Sequence, residues 1–176
     1  MGSSPQAPPE ALQPETELRC CVEVRSRKLA DWPIGRHSYI RYTVESRTAD
    51  GGWTLLADSV AEGIRISVTT EDGVVSEHLQ FYNSERGYGT NSKERDRVEG
   101  KGKVCGDVSF CIQLQSTLQK GAVYNANMTL YHPLTMNCHS MTFTMLSNLF
   151  PGNSTTVAGF KLGGLSYGWG NYVPGF

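Results

Sequence analysis

The chain has 176 residues, enough for one compact domain with a substantial core and tight for two. Its 16 basic residues nearly balance 17 acidic ones, for a net charge of −1, so no strong field draws it to nucleic acid or an anionic membrane. No apolar run approaches the length of a membrane span, so stable membrane insertion is not expected.

Residues 1–17 read as a flexible leader, because Pro5, Pro8, Pro9 and Pro14 forbid a stable helix and little here can enter a core. The segment lacks a basic stretch followed by an apolar core, so no cleaved secretory signal is expected in it. From Leu18 onward the pattern is that of a single folded domain running to residue 176. Leu18 to Val24 is a first strand, and Asp31 to Arg36 a loop. His37 to Glu45 then alternates, with His37, Tyr39, Arg41, Thr43 and Glu45 on one side and Ser38, Ile40, Tyr42 and Val44 on the other. Thr48 to Gly52 is a turn, and Trp53 to Val60 returns as the partner strand. Ile64 to Thr69 and Val74 to Phe81 straddle Glu71-Asp-Gly73 as a second hairpin.

Asn83 to Lys103 is rich in Gly, Ser, Asn and mixed charge, which predicts a long solvated loop. Val108, Phe110, Ile112 and Leu114 alternate, so Val104 to Leu114 is expected as a strand, with Ser116 capping a short helix toward Tyr124. Next comes a loop running into a helix: Pro133 favours an extended approach, and Thr135 and Asn137 are both capable N-caps. Cys138, Met141, Met145 and Leu149 follow at spacings of three, four and four and share one helix face, and Pro151-Gly152 ends the helix. The glycine- and aromatic-rich stretch from Val157 to Phe176 suits a wrap over the domain.

An odd cysteine count, five, leaves at least one free thiol unless chains cross-link. Cys105 and Cys111 are close enough in sequence to pair locally, though the sequence does not decide it. There is no C-x-x-C, and His132 and His139 lack matching cysteine pairs, so neither a metal site nor a cofactor is expected. Cys138 stands out because a thiol in the first turn of a helix meets unpaired N–H groups and the positive end of the helix dipole, which favour thiolate. A histidine at the start of a strand, His37, is the natural base if the fold brings the two together. A buried structural cysteine and a half-exposed strand histidine are the ordinary alternatives.

Gly35-Arg-His37-Ser-Tyr-Ile, followed much later by Tyr131-x-x-Leu-Thr-x-Asn-Cys138-x-x-x-x-Phe143, resembles the circularly permuted branch of the papain-like cysteine hydrolases. That branch includes lecithin:retinol acyltransferase-like proteins, NlpC-type peptidoglycan peptidases in permuted form and bacterial amidase effectors. The resemblance implies an α+β fold: an antiparallel sheet of about five or six strands with the Cys138 helix packed on it. It implies Cys138 as nucleophile, His37 as general base and the Cys138 backbone N–H in an oxyanion hole. A third polar group orients the imidazole from a neighbouring strand, with His78 slightly ahead of Asp58; Glu45 lies too far along the strand of His37. Asn137 is an accessory candidate that reads first as a cap, and His132 and His139 read as loop and helix-surface residues.

The activity so implied is hydrolysis of amide bonds, with peptidoglycan peptides or another peptide as substrate. An antibacterial effector would be made in a bacterial cytoplasm, exported by a dedicated secretion system to act in the periplasm, and matched by an immunity protein. A lipid acyltransferase or phospholipase of the lecithin:retinol acyltransferase type is the alternative within the same chemistry. A non-catalytic, β-rich binding domain is the alternative outside it.

Overall fold

The computed structural model describes residues 17–28, 36–85, 96–100, 102–133 and 136–160. The expected leader, the loop after the first strand, the Thr135 cap and the aromatic tail beyond residue 160 lie outside these residues.

The architecture is mixed α+β, built on a six-stranded antiparallel sheet. Its strands are β1 (Leu18–Lys28), β2 (Arg36–Arg47), β3 (Trp53–Thr69), β4 (Val75–Ser84), β5 (Arg97–Val98) and β6 (Val104–Gly106). The first four form a meander in the order β4-β3-β2-β1, and both short strands pair with β1. The helices are α1 (Val108–Tyr124), α2 (Cys138–Leu149) and α3 (Ser154–Gly159).

The alternation along β2 has its physical counterpart in two unlike sheet faces. Ile40 and Tyr42 join Val22 and Val24 of β1, Ala61 of β3 and Phe81 of β4 in one core against α1 and α2. The residues between them carry charge and pair with one another: Arg41 with Asp58 at 2.7 Å, Arg19 with Glu45 at 2.6 Å, Arg27 with Glu62 at 2.8 Å. Two glycines let the helices come close to the sheet. A Cβ on Gly63 of β3 would stand 2.8 Å from the Met141 Cβ of α2, and one on Gly121 of α1 would stand 2.6 Å from the Phe81 ring. Leu114, Thr117 and Gly121 make the buried stripe of α1, while Met141, Met145 and Leu149 make that of α2. Each buried Leu or Met contributes about 1.5–3 kcal/mol in this way.

Several elements differ from the pattern read along the chain. Trp53 to Thr69 is one strand of 17 residues, continuous through Ala61-Glu62-Gly63, where a break was expected. Register with β2 on one side and β4 on the other supplies the ladder bonds that local propensity does not favour at Glu62 and Gly63. Val104 to Leu114 is a strand only as far as Gly106. Asp107 then caps α1, accepting from the Ser109 and Phe110 amides at 3.0 and 3.3 Å. The alternating apolar residues therefore lie on a helix, and Ile112 projects into solvent while Leu114 is buried. The segment expected to be a solvated loop supplies β5 and a buried acid, Glu99, bonded to the Ser26 hydroxyl.

Cys105 and Cys111 do not pair with each other. Cys20 is joined to Cys111 and Cys21 to Cys105, so adjacent residues of β1 are tied to α1 and to β6. Cys138 is the free thiol. No helix among the described residues is long and apolar enough to cross a membrane.

Candidate active site

The first turn of α2 is built by Asn137. Its Oδ1 accepts from the His139 and Ser140 amides at 2.9 and 3.2 Å, and Ser140 Oγ reciprocates by accepting from the Asn137 amide at 2.8 Å. The remaining side-chain nitrogen donates to the Pro133 carbonyl at 2.7 Å. Asn137 thus serves as a cap and as an anchor for the incoming loop. Cys138 follows as the first helical residue, where its own N–H has no intrahelical acceptor. It is half-buried, so one side of the residue faces solvent.

The structure brings Cys138 and His37 together: each lies close enough to the other to shift its pKa. His37 is the second residue of β2, and the register places Tyr39 opposite Glu62 of β3. Glu62 is therefore the diagonal neighbour of His37, a separation that long side chains bridge. His37 Nε2 lies 2.5 Å from Glu62 Oε2. A carboxylate accepts, so Nε2 carries the hydrogen, and Nδ1 is the nitrogen left for the sulfur. Arg27, opposite His37 in β1, donates to the same Glu62 oxygen at 2.8 Å. A wholly buried carboxylate is tolerated only when paired, and Glu62, at 0 % exposure, has both partners here.

Electrostatics follow from this chain of contacts. Burial pulls the His37 pKa down, but the charge and hydrogen bond of Cys138, together with the Glu62 hydrogen bond, outweigh it and leave the pKa at about 9. Burial pushes the Cys138 thiol up, yet the His37 charge and bond, with the Ser38 and His139 amides, bring it below the ordinary thiol value. The pair therefore favours imidazolium and thiolate over neutral partners. Burial, and after it the Cys138 charge, raises the Tyr131 pKa, so this phenol stays protonated near the sulfur. The Arg65 guanidinium lies 5.6 Å over the Tyr131 ring.

The third group is thus Glu62, and neither His78 nor Asp58 holds that position. Both ring nitrogens of His78 are taken, one by Ser76 Oγ and the other by the Met128 carbonyl, each at 2.8 Å. Asp58 is opposite Thr43 and bonded to Arg41, and it lies four residues along β3 from Glu62, about 13 Å at the usual strand rise. Glu62 falls outside the strands that the sequence predicts, in the Ala61-Glu62-Gly63 gap between residues 53–60 and 64–69. Its signal is an acid two residues beyond a strand that was recognised.

His132 is exposed in the loop before α2, as expected. His139 is not on the helix surface. It is 6 % exposed, with Nδ1 2.9 Å from Ser38 Oγ and Nε2 2.9 Å from the Arg36 carbonyl oxygen.

No protein-family model, curated protein or solved structure matches this chain. Among the described residues no cluster of three or more His, Cys, Asp or Glu side chains is placed to hold a metal ion. The arrangement sets a thiol that favours the thiolate form beside an imidazolium, a carboxylate that orients the ring, and a helix N-terminus with unpaired N–H groups.

Proposed function

We propose that this protein is a thiol hydrolase that cleaves amide bonds through Cys138, His37 and Glu62. The observation that carries the reading is the continuous line from the free thiol through His37 to Glu62 Oε2, backed by Arg27. The thiolate attacks the carbonyl carbon, and the Cys138 N–H stabilises the oxyanion. Imidazolium Nδ1–H then protonates the departing amine, leaving an acyl-enzyme and a neutral imidazole. That imidazole takes a proton from water as its oxygen attacks the thioester, and collapse releases the acid and regenerates the Cys138 thiolate beside the imidazolium. Glu62 stays ionised throughout and holds the ring in orientation.

Within that class we favour a permuted papain-like enzyme acting on peptidoglycan peptides, by the resemblance of the His37 and Asn137-Cys138 segments. Action in an oxidising compartment such as the periplasm is supported by the two disulfides, which a reducing cytosol would not preserve.

Purified peptidoglycan incubated with wild type, Cys138→Ala and His37→Ala, with products identified by mass, tests the reading. Cleavage by wild type and loss in both variants is expected. No cleavage by wild type removes the cell-wall assignment and turns the search to lipid esters, whereas cleavage surviving Cys138→Ala overturns the thiol mechanism.

A further inference from the structure

Three hydrogen bonds fasten the start of β2 to α2, and all three involve the residues on either side of His37. The Arg36 carbonyl accepts from His139 Nε2 at 2.9 Å, Ser38 Oγ donates to His139 Nδ1 at 2.9 Å, and the Ser38 carbonyl accepts from Thr142 Oγ1 at 3.1 Å. A carbonyl oxygen only accepts, so the His139 hydrogen is on Nε2 and the Ser38 hydroxyl must donate to Nδ1. His139 thus uses both ring nitrogens on one short stretch of the neighbouring strand, and it directly follows the cysteine on its own helix. Between the two fastened residues lies His37, and the Ser38 backbone is among the groups that lower the Cys138 pKa.

We propose that His139 is a positioning residue: by gripping Arg36 and Ser38 it sets both the His37 imidazole and the Ser38 amide at the Cys138 sulfur. The proposal rests on the thiol-hydrolase reading and adds to it the part that aligns nucleophile and base. The grip needs a neutral ring, because a protonated Nδ1 cannot accept from Ser38. Burial, opposed by the Arg36 carbonyl bond and reinforced by the His37 charge, lowers the His139 pKa. The charged groups facing it are His37 on β2 and Glu99 beyond β5, the latter acting the other way. Two histidines flanking one cysteine contact are so held in opposite protonation states, the imidazolium of His37 beside the imidazole of His139.

The test is alkylation of the intact, oxidised chain by iodoacetamide from about pH 4 to pH 10, which needs no substrate and reads the Cys138 thiolate directly. The four other cysteines are in disulfides and do not compete. In wild type the rate should stay high well below the ordinary thiol range. His139→Leu removes both bonds and should move the midpoint up by about one pH unit, slowing alkylation about tenfold at pH values well below the wild-type midpoint. His139→Gln keeps a donor in reach of the Arg36 carbonyl, His139→Asn keeps an acceptor near Ser38, and each should restore part of the shift. Ser38→Ala should reproduce part of it. Should His139→Leu not fold, the Gln, Asn and Ser38→Ala variants decide. A wild-type midpoint that is low and unchanged in every folded variant overturns the role of His139 alone. A wild-type midpoint at the ordinary thiol value overturns the dyad and this role with it.

Discussion

The two long helices are fastened to the same sheet by different means. α1 is tied covalently, by Cys111 to Cys20, and its packing stripe is narrow: Val108, Ile112 and Val123 stay exposed while Gly121 rests on Phe81. α2 has no covalent tie. It is held by His139 and Thr142 on the Arg36–Ser38 backbone, by Met141 against Gly63, and by burial on most sides. A disulfide acts mainly by restricting the unfolded chain and tolerates small shifts in the folded one. Directional hydrogen bonds do the opposite: they add modest net stability but define position closely. The covalent device therefore holds the scaffold, and the hydrogen-bonded one holds the helix that carries the reactive thiol. A thiolate and its acid lose efficiency when displaced by an ångström, so this division fits the proposed chemistry.

The largest expected effect separates the site from the scaffold altogether. Glu62→Gln keeps the shape of the side chain but removes the acceptor-only partner of His37, and kcat should fall by about 10²–10⁴-fold. Its pH profile gives the sign. The Glu62 hydrogen bond helps raise the His37 pKa to about 9, so the imidazolium form, and activity with it, is lost as pH rises through that value. In Glu62→Gln the alkaline limb should move to lower pH; a limb that stays in place would remove Glu62 from the line. The same sign applies to folding. The His37 contribution is complete below its ordinary value of 6.5 and fades as pH rises through about 9, and the variant should lose it sooner.

The second effect falls on the scaffold. Replacing Cys20 and Cys111 together by serine opens a cross-link between residues 91 apart and should cost about 2–4 kcal/mol in denaturant titrations. Activity per folded molecule should persist, since the bond is not part of the α2 seam. Parallel loss of activity in the folded fraction would mean that α1 also positions the site.

The smallest and most discriminating effect comes from adding one methyl group at either helix. Gly63→Ala and Gly121→Ala both force an overpacked contact, with Cβ neighbours at 2.8 and 2.6 Å, and each should cost about 1–3 kcal/mol. Only Gly63→Ala pushes on α2, so only it should lower kcat, by about tenfold, with KM little changed. Equal kinetic losses in the two variants would erase the distinction between the helices.

Local signals were legible in the sequence. The alternation of β2 put His37 on a strand with a known polar side, and the Asn137 cap with its three-and-four apolar spacing put Cys138 at a helix start. The second hairpin was also readable, because its strands and turn are neighbours in the chain. Each of these rests on interactions spanning a few residues, which propensity and periodicity record. Tertiary structure alone decided the rest. Glu62 became the partner of His37 through register between strands, 25 residues apart, and only once β3 ran unbroken through a weakly strand-forming triplet. The alternating residues around Phe110 became helical because Asp107 caps and Cys111 is tied to β1. His139 is buried because Arg36 and Ser38, more than a hundred residues earlier, offer a carbonyl and a hydroxyl at the spacing of its two nitrogens. Such contacts depend on where distant backbones come to lie, and a linear pattern carries no record of that.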